Sequence, residues 1–275
     1  MTITDQKTLA QELMTAYSRG EVIEVPPSAR DAAFDMPAAY AVEAELAQLR
    51  RASGRTTVGR KVGFANKALW RVLKLDTLVW AHMYDDTVRR AENGVASLSI
   101  GQMYSPKIEP EIVFKLNKPL GPEARDPVVV LEAVAWLALG FEIIDCVFPD
   151  WKFTPADFVA AFGLHAALVV GEPRIVQPEM IPALADQLPT FKVTLLKDQQ
   201  IVQVGSGKNS LRSPAACLGE LASAISRQPA AERLAAGELV SSGTLTDSHP
   251  IVPGETWTAV VDGLDLPALT LHVTR

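Results

Sequence analysis

The hydrophobic pattern of this chain changes near Thr77. Before Thr77, apolar residues recur at helical spacing in three segments. These predicted helices run from Thr4 or Asp5 to Gly20, from Asp35 to Gly54, and over residues 67–73. After Thr77, short apolar stretches are separated by Gly, Pro, Asn and Asp, which is typical of strands and turns. The predicted strands cover residues 107–116, 141–148, 166–170, 191–196, 201–204, 239–245, 256–261 and 269–273.

Helices are also predicted inside the second part. They cover residues 126–136, residues 155–162 after a capping box at Thr154 and Asp157, and residues 214–225. A helical start followed by a mainly β body favours an α+β fold over a doubly wound sheet. We therefore predict a helical N-terminal part over residues 1–76 and a mixed-β catalytic domain over residues 77–275, joined in one integrated unit.

Composition excludes several classes of partner. Apolar residues make up 48% of the chain, which supports a sizeable core. The net charge is −6 without a Lys/Arg-rich run, which argues against nucleic-acid binding. The N-terminus is polar and no apolar run reaches the ~18 residues of a membrane span, so we expect a cytoplasmic protein. Cys146 and Cys217 are predicted to be buried free thiols.

Two glutamates alternate on one predicted strand. Glu109 and Glu111 flank Pro110, so their side chains point to the same face, and the proline indicates an edge or bulge. Glu142 interrupts an apolar run, where a carboxylate is costly unless it is paired or bound to a metal. Together the three could bind Mg²⁺ or Mn²⁺, which prefer oxygen ligands. Spacing alone leaves open the alternative of a solvated acidic strand face.

Several further segments share an order and spacing with a known family. They cover residues 59–64, 78–86, 108–111, 141–145, 151–157, 234–246 and 253–255. In these segments the chain resembles the fumarylacetoacetate hydrolase superfamily, specifically its 2-keto-4-pentenoate hydratase and 4-oxalocrotonate decarboxylase branch. The resemblance implies a mixed β-sheet roll or barrel-like fold with a helical N-terminal part, and a homodimer or an assembly of dimers.

The resemblance also implies roles for individual residues. Glu109, Glu111 and Glu142 would bind one divalent ion. Lys61 would be the active-site lysine, with Asp86, rather than Asp85, as an acid beside it. The turn at Gly243 and Thr244 would hold the substrate carboxylate. Independently of the resemblance, Arg60 or Arg212 is a candidate partner for a distal carboxylate of the substrate.

These roles fit the chemistry of a small 2-oxo acid. Such an acid chelates a metal through its carboxylate and its 2-oxygen, and the ion stabilises the enolate that forms when a bond at C3 is made or broken. The ammonium of Lys61 near that oxygen would add positive charge or transfer a proton.

One segment departs from the family pattern. Where relatives carry Asp-Asn-x-Ser, residues 161–164 read Ala-Phe-Gly-Leu, and His165 follows. We expect His165 to act as a general base that activates water, although a hydrogen-bonded core histidine is the alternative. The first hypothesis is therefore hydrolytic C–C cleavage of an acylpyruvate, of the maleylpyruvate or fumarylpyruvate type, in aromatic-compound catabolism. The alternatives are a 2-hydroxypenta-2,4-dienoate hydratase, a 4-oxalocrotonate-type decarboxylase, or its non-catalytic partner subunit.

Overall fold

The computed structural model describes residues 3–229 and 231–275, with the side chains of Ile3 and Thr4 outside that description. The predicted capping role of the Thr4 side chain therefore lies outside the described residues. The α-helices, in chain order, are α1 (Ile3–Arg19), α2 (Pro27–Arg30), α3 (Met36–Ala52), α4 (Trp70–Leu73), α5 (Pro127–Leu131), α6 (Pro155–Ala160), α7 (Ile181–Gln187) and α8 (Pro214–Ser226).

Local signals start and end several of these helices. The side chain of Asp35 accepts a hydrogen bond from the backbone N–H of Ala38, which caps α3. Thr154 and Asp157 form the predicted capping box at the start of α6. Helix α1 stops before Gly20, whose φ of 63° is readily adopted only by glycine. Capping therefore agrees with the sequence patterns at these three helix ends.

The strands, in chain order, are β1 (Thr57–Gly63), β2 (Val79–Tyr84), β3 (Val88–Arg90), β4 (Val95–Ser99), β5 (Pro106–Leu116), β6 (Val134–Asp145), β7 (His165–Val170), β8 (Arg174–Ile175), β9 (Lys192–Lys197), β10 (Gln200–Ser206), β11 (Leu239–Ser241), β12 (His249–Pro250), β13 (Thr256–Asp262) and β14 (Leu269–Thr274).

The strands form two mixed sheets. The larger has the order β2-β1-β11-β5-β6-β7-β3, with β12 paired to β5 and β8 paired to β6. The smaller has the order β10-β9-β13-β14-β4. Most pairs are antiparallel, but β1 with β11, β3 with β7, and β4 with β14 are parallel. The α+β prediction is confirmed, and the larger sheet curls into a half-barrel.

Helix α7 was not predicted, and the predicted strands 141–148 and 239–245 end at Asp145 and Ser241. Two further differences concern β6 and β1. Helix α5 ends at Leu131, and residues 134–136, predicted as helix, begin β6. Pairing with β5 along almost its whole length stabilises β6, and this tertiary pairing outweighs the helical pattern. The second difference is β1, which lies in the region predicted to be helical and pairs with β2 and β11. The division at residue 76 stays a prediction.

The N-terminal helices contribute to the core of the protein. Leu13 of α1 and Leu46 of α3 share a buried cluster with Val159 of α6 and with Val147 and Phe148, just after β6. This burial excludes water from the apolar faces of α1 and α3. Both cysteines are buried and free, as predicted. Within the described residues, no helix has the length and apolarity needed to cross a membrane.

Candidate metal and substrate site

The antiparallel pairing of β5 and β6 brings the three glutamates together. Glu109 lies directly opposite Glu142, and Glu111 is two residues further along β5 on the same face. One carboxylate oxygen from each residue lies within 4.8 Å of the others. Glu111 and Glu142 are fully buried, and Glu109 is partly exposed. The cluster is therefore a buried group of acids that opens to solvent on the side of Glu109.

The hydrogen bonds of the cluster leave room for a cation. Glu111 Oε2 accepts from Ser241 Oγ at 2.5 Å and from the backbone N–H of Gly243 at 2.8 Å. Glu111 Oε1 is buried, and within residues 3–229 and 231–275 it has no hydrogen-bond partner. Buried carboxylate oxygens without partners are costly unless a cation satisfies them. This donor set fits a hard divalent ion.

Two positively charged or polar groups contact Glu142. Lys61 Nζ lies 2.9 Å from Oε2, an ion pair without hydrogen-bond alignment. His165 Nδ1 lies 2.9 Å from Oε1. Although burial raises the pKa of Glu142, Lys61 and His165 together lower it below its usual value.

The other two acids show that the cluster carries excess negative charge. Burial and the Glu142 carboxylate raise the pKa of Glu109 to about 7, despite the opposing effect of Lys61. Burial, Glu142 and Glu109 hold the pKa of Glu111 well above its usual range. Three carboxylates face one ammonium, so the ionised cluster has a surplus of two negative charges. A divalent cation would balance that surplus.

Close packing around Lys61 holds its side chain in place. Lys61 is 1% exposed and lies on β1, with its ammonium 5.1 Å from the centre of the Phe158 ring. Gly163 packs against the aliphatic stem of Lys61, and a Cβ at that position would lie 2.8 Å from Lys61 Cδ. Gly163 also has a φ of 59°. A glycine is therefore needed here for both space and conformation.

The cluster forms one end of a cavity of about 510 Å³. Lys61, Glu109, Gly243 and Thr244 line that end. The amides of Asn66, Gln203 and Asn209 also line the cavity. The rest of the wall is mainly apolar and includes Phe64, Leu69, Ile144, Trp151, Phe153, Phe158 and Leu164. Such a cavity suits a small molecule with one charged end and an apolar remainder.

Comparison with known proteins gives relatives along almost the whole chain. The chain is 28% identical to a 2-keto-4-pentenoate hydratase of Paraburkholderia xenovorans over 266 residues, which cover 96% of this chain and 94% of that protein. It is 27% identical to a 4-oxalocrotonate decarboxylase of Pseudomonas sp. strain CF600, over 82% of this chain and 81% of the relative. The named activities of these relatives, hydratase and decarboxylase, are those of the superfamily branch that the sequence segments resemble. No family model matches the chain.

Solved structures agree on the fold. A 4-oxalocrotonate decarboxylase from Pseudomonas putida G7, complexed with magnesium and adipate, superposes with a TM-score of 0.89 at 23% identity, covering 99% of this chain and 98% of that chain. A fumarylpyruvate hydrolase from Pseudomonas aeruginosa, in complex with Mn²⁺ and pyruvate, has a TM-score of 0.59 at 18% identity and covers 79% and 89% of the two chains. At these identities the superpositions establish the fold only.

The structure brings some of the residues predicted from the superfamily pattern into one cavity. Lys61, Glu109, Gly243 and Thr244 all line it, and Glu111 is joined to it through the N–H of Gly243. Thr244 Oγ1 donates to the backbone oxygen of Thr246, which orders the loop at the cavity wall. The roles of these residues stay predictions, since the geometry shows only their proximity.

The sequence analysis predicted that Asp86 lies beside Lys61, but the structure places Asp86 elsewhere. Its carboxylate forms ion pairs with Arg50 and with Arg55, the latter at 3.1 Å. It lines a separate cavity that also contains Arg50 and His165, but not Lys61. The turn between β2 and β3 points Asp86 towards the end of α3, so it is not an acid beside Lys61.

The contacts of His165 also differ from those expected of a general base that activates water. Its Nδ1 contacts Glu142, and its Nε2 lies 2.9 Å from Thr87 Oγ1. His165 is buried and does not line the cavity that contains Lys61 and Glu109. With both ring nitrogens engaged, it has no free position from which to take a proton from water. The geometry matches the alternative interpretation, a hydrogen-bonded core histidine that orients Glu142.

The position of Arg60 also disagrees with its predicted role as a partner for a distal carboxylate of the substrate. Because side chains alternate along β1, Arg60 points to the face opposite Lys61. Its guanidinium is fully buried, lies 3.3 Å from Glu238 Oε1, and stacks 5.3 Å from the centre of the Trp80 ring. Arg60 therefore cannot pair with a substrate in the cavity beside Lys61.

The sequence analysis missed Ser241, Asn209 and Gln203. Ser241 donates to Glu111, and Asn209 Nδ2 donates to the backbone oxygen of Leu245, next to the cavity loop. A signal existed for Ser241, since it lies in the matched segment 234–246. Asn209 and Gln203 reach the cavity only through tertiary packing, so local sequence patterns did not indicate them.

Proposed function

We propose that this chain is a divalent-metal-dependent hydratase that adds water to 2-hydroxypenta-2,4-dienoate or a close analogue, forming a 4-hydroxy-2-oxo acid. The observation that carries the proposal is the Lys61 ammonium inside a buried three-glutamate cluster at the charged end of the cavity. The similarity to hydratases over nearly the full chain supports the same reaction. Hydration therefore ranks above acylpyruvate hydrolysis, the first hypothesis from sequence.

The residues of the cluster supply the parts that this reaction needs. Glu109, Glu111 and Glu142 would hold the divalent ion, which supplies Lewis-acid polarisation of the 2-oxygen when bound. Lys61 Nζ would hold a proton near that oxygen and transfer it to or from the carbon chain. Net addition places the hydroxyl of water on C4 and the other hydrogen of water on carbon, while the proton of the 2-hydroxyl moves to carbon as the 2-oxo group forms. No carbon–carbon bond breaks. The apolar wall excludes bulk water from the reacting carbons.

The lining of the cavity favours a monocarboxylate. Among the described residues that line it, Lys61 is the only basic side chain. The second carboxylate of a dicarboxylate such as 4-oxalocrotonate or fumarylpyruvate would find amide groups at Asn66, Gln203 and Asn209 but no second basic side chain to balance its charge among the described lining residues. Both the hydrolase and the decarboxylase hypotheses require such a substrate.

Decarboxylation remains the second candidate because one observation favours it. The chain is 27% identical to a 4-oxalocrotonate decarboxylase over 82% of its length. We propose Mg²⁺ or Mn²⁺ as the ion, since both accept an all-oxygen ligand set. A cytoplasmic homodimer or assembly of dimers belongs to the same proposal.

A single assay separates the candidates. The purified protein, supplied with Mn²⁺ or Mg²⁺, is incubated with 2-hydroxypenta-2,4-dienoate, with 4-oxalocrotonate and with fumarylpyruvate, and the products are read by mass spectrometry. Hydration adds one water to the dienoate, decarboxylation removes carbon dioxide, and hydrolysis releases pyruvate. Hydration of the dienoate alone is the expected result. Turnover of only a dicarboxylate would overturn the proposal, and inactivity on all three would favour a non-catalytic partner subunit.

A further inference from the structure

One acid lines the substrate cavity without belonging to the glutamate cluster. Asp247 lines the cavity that also contains Lys61 and Glu109. Among the described residues, the acids that lie close enough to share one ion are Glu109, Glu111 and Glu142, so the Asp247 carboxylate is a separate negative charge of this cavity. Asp247 is exposed, whereas the cluster is largely buried. Asp247 therefore lies on the open side of the cavity.

The path of the loop between β11 and β12 explains this position. The backbone N–H of Leu245 donates to the backbone oxygen of Pro110 at 2.9 Å, and His249 pairs with Ile108 on the same strand, β5. From Leu245 to His249 the loop advances four residues, whereas β5 advances two, from Pro110 to Ile108. The extra residues of the loop bulge away from β5, and Asp247 lies at the centre of this bulge.

Hydrogen bonds hold Asp247 in this position although it is exposed. Gln203 Nε2 donates to Asp247 Oδ2 at 3.2 Å, and Gln203 Oε1 accepts from the backbone N–H of Asp247 at 3.2 Å. His249 Nε2 lies 2.8 Å from the same Gln203 oxygen. Thr246 Oγ1 donates to the backbone oxygen of Asp247 at 2.8 Å. The backbone and the carboxylate of Asp247 are therefore both fixed at the cavity wall.

The basic side chains of this region do not balance the Asp247 charge. Lys61, the only basic side chain among the described residues that line the cavity, is paired with Glu142 at the buried end. A further cation, Lys107, does not line the cavity, and its ammonium lies against the Trp151 ring, 3.6 Å from the ring centre. A ligand carboxylate on the open side of the cavity would therefore meet the like charge of Asp247.

We propose that Asp247 is a specificity-determining residue that excludes 2-oxo acids with a second carboxylate. This inference rests on the proposed function, in which the first carboxylate and the 2-oxygen bind at the glutamate end of the cavity. The second carboxylate of an extended dicarboxylate then points to the open side, where Asp247 repels it. An apolar distal end meets no such repulsion. Asp247 thus acts against the wrong substrate rather than for the right one.

The test measures binding, so it does not depend on turnover. 2-Oxohexanoate and 2-oxoadipate have the same carbon chain and differ only in the distal carboxylate, and neither has the double bond that hydration needs. Each is titrated by calorimetry into the full-length protein at saturating Mg²⁺ and about pH 8, where imidazole groups are ordinarily neutral. The parent should bind 2-oxohexanoate more tightly than 2-oxoadipate.

The decisive variant is Asp247→Asn, which keeps an acceptor for Gln203 Nε2 and removes only the charge. It should bind 2-oxoadipate about 3–10-fold more tightly than the parent, because repulsion between partly hydrated charges is of that size. Its affinity for 2-oxohexanoate should stay within about twofold of the parent value. Added salt should reduce the gain for 2-oxoadipate, because salt screens an exposed charge.

The matched control is Asp262→Asn, which removes an exposed acid of β13 outside the cavity and should bind both acids like the parent. The inference is overturned if Asp247→Asn gains no affinity for 2-oxoadipate, if it gains equally for both acids, or if Asp262→Asn gains as much. In these cases the proposed function stands, provided that the parent binds 2-oxohexanoate. If the parent binds neither acid, the proposed function and the inference are both overturned.

Discussion

The two faces of β1 carry adjacent buried cations with opposite surroundings. Lys61 faces three carboxylates, one of which has an oxygen without a hydrogen-bond partner among the described residues. Arg60, on the other face, contacts Glu238, a backbone oxygen and the Trp80 ring. The two further acids that its charge reaches, Glu43 and Glu232, contact His82 and Arg51. A buried cation is therefore not by itself a sign of chemistry. The Lys61 site is distinguished by the surplus of negative charge around the cation.

The largest expected effect comes from removing one of the surplus acids. Glu109→Gln should lower turnover by about 10³-fold or more and abolish Mn²⁺ binding in calorimetry, because a ligand and its charge are lost. Glu238→Gln is the matched control on the Arg60 face and should keep metal binding. If Glu109→Gln retained parental turnover, the assignment of the metal site would be wrong.

The next test removes each of the two cations in turn. Lys61→Met should lower turnover by about 10²–10⁴-fold, because a proton carrier is removed. It should also strengthen Mn²⁺ binding, because a positive charge beside the ion is removed. Arg60→Met should instead reduce the free energy of unfolding by about 3 kcal/mol, measured in urea, because a buried ion pair is broken. Equal losses of turnover per folded molecule in both variants would erase the distinction between the faces.

A smaller effect is expected from the histidine behind Glu142. His165→Ala should weaken Mn²⁺ binding by about 10–100-fold, because the orientation of a ligand is lost. If His165 only orients Glu142, saturating metal should restore most of the turnover. His272→Ala serves as the control, because His272 is an exposed residue of β14. A loss of turnover of at least ~10²-fold that persists at saturating metal would restore the general-base hypothesis.

The smallest effect concerns pH. The pKa of Glu109 in the metal-free protein is raised to about 7, so its contribution to stability is present below its ordinary pKa and is lost as the pH rises through 7. A divalent ion replaces the protons, and the gain in melting temperature on adding Mn²⁺ should be larger at about pH 8 than at about pH 5. Differential scanning fluorimetry with and without Mn²⁺ measures the gain in melting temperature at each pH. An equal gain at the two values would argue against coupled protonation of the cluster.

The comparison also shows where sequence reasoning succeeded. The cap at Asp35 and the capping box at Thr154 depend on residues a few positions apart, so the helix starts could be predicted. The alternation of Glu109 and Glu111 is likewise a local property of an extended strand. The family resemblance added Lys61 and the convergence of Glu142 on the other two glutamates, which local spacing could not place.

The failures have a common physical cause. Strand β1 was taken for part of a helical region, so the alternation that separates Arg60 from Lys61 was not applied. Asp86 was assigned from the family resemblance, and His165 from its place beside the segment that departs from the family pattern. Their partners come from distant segments: Arg50 in α3 for Asp86, and Glu142 in β6 for His165. Such pairings depend on packing and cannot be read from neighbouring residues.

The sequence by itself determined the α+β class, the capped helices and the presence of three glutamates that could bind a metal, because hydrophobic period, capping and strand alternation act over a few residues. Only the tertiary structure decided that Glu109 lies opposite Glu142 and that Lys61 enters their cluster while Arg60 turns away. Strand register and sheet order set these contacts, and both depend on pairing between segments that are far apart in the chain.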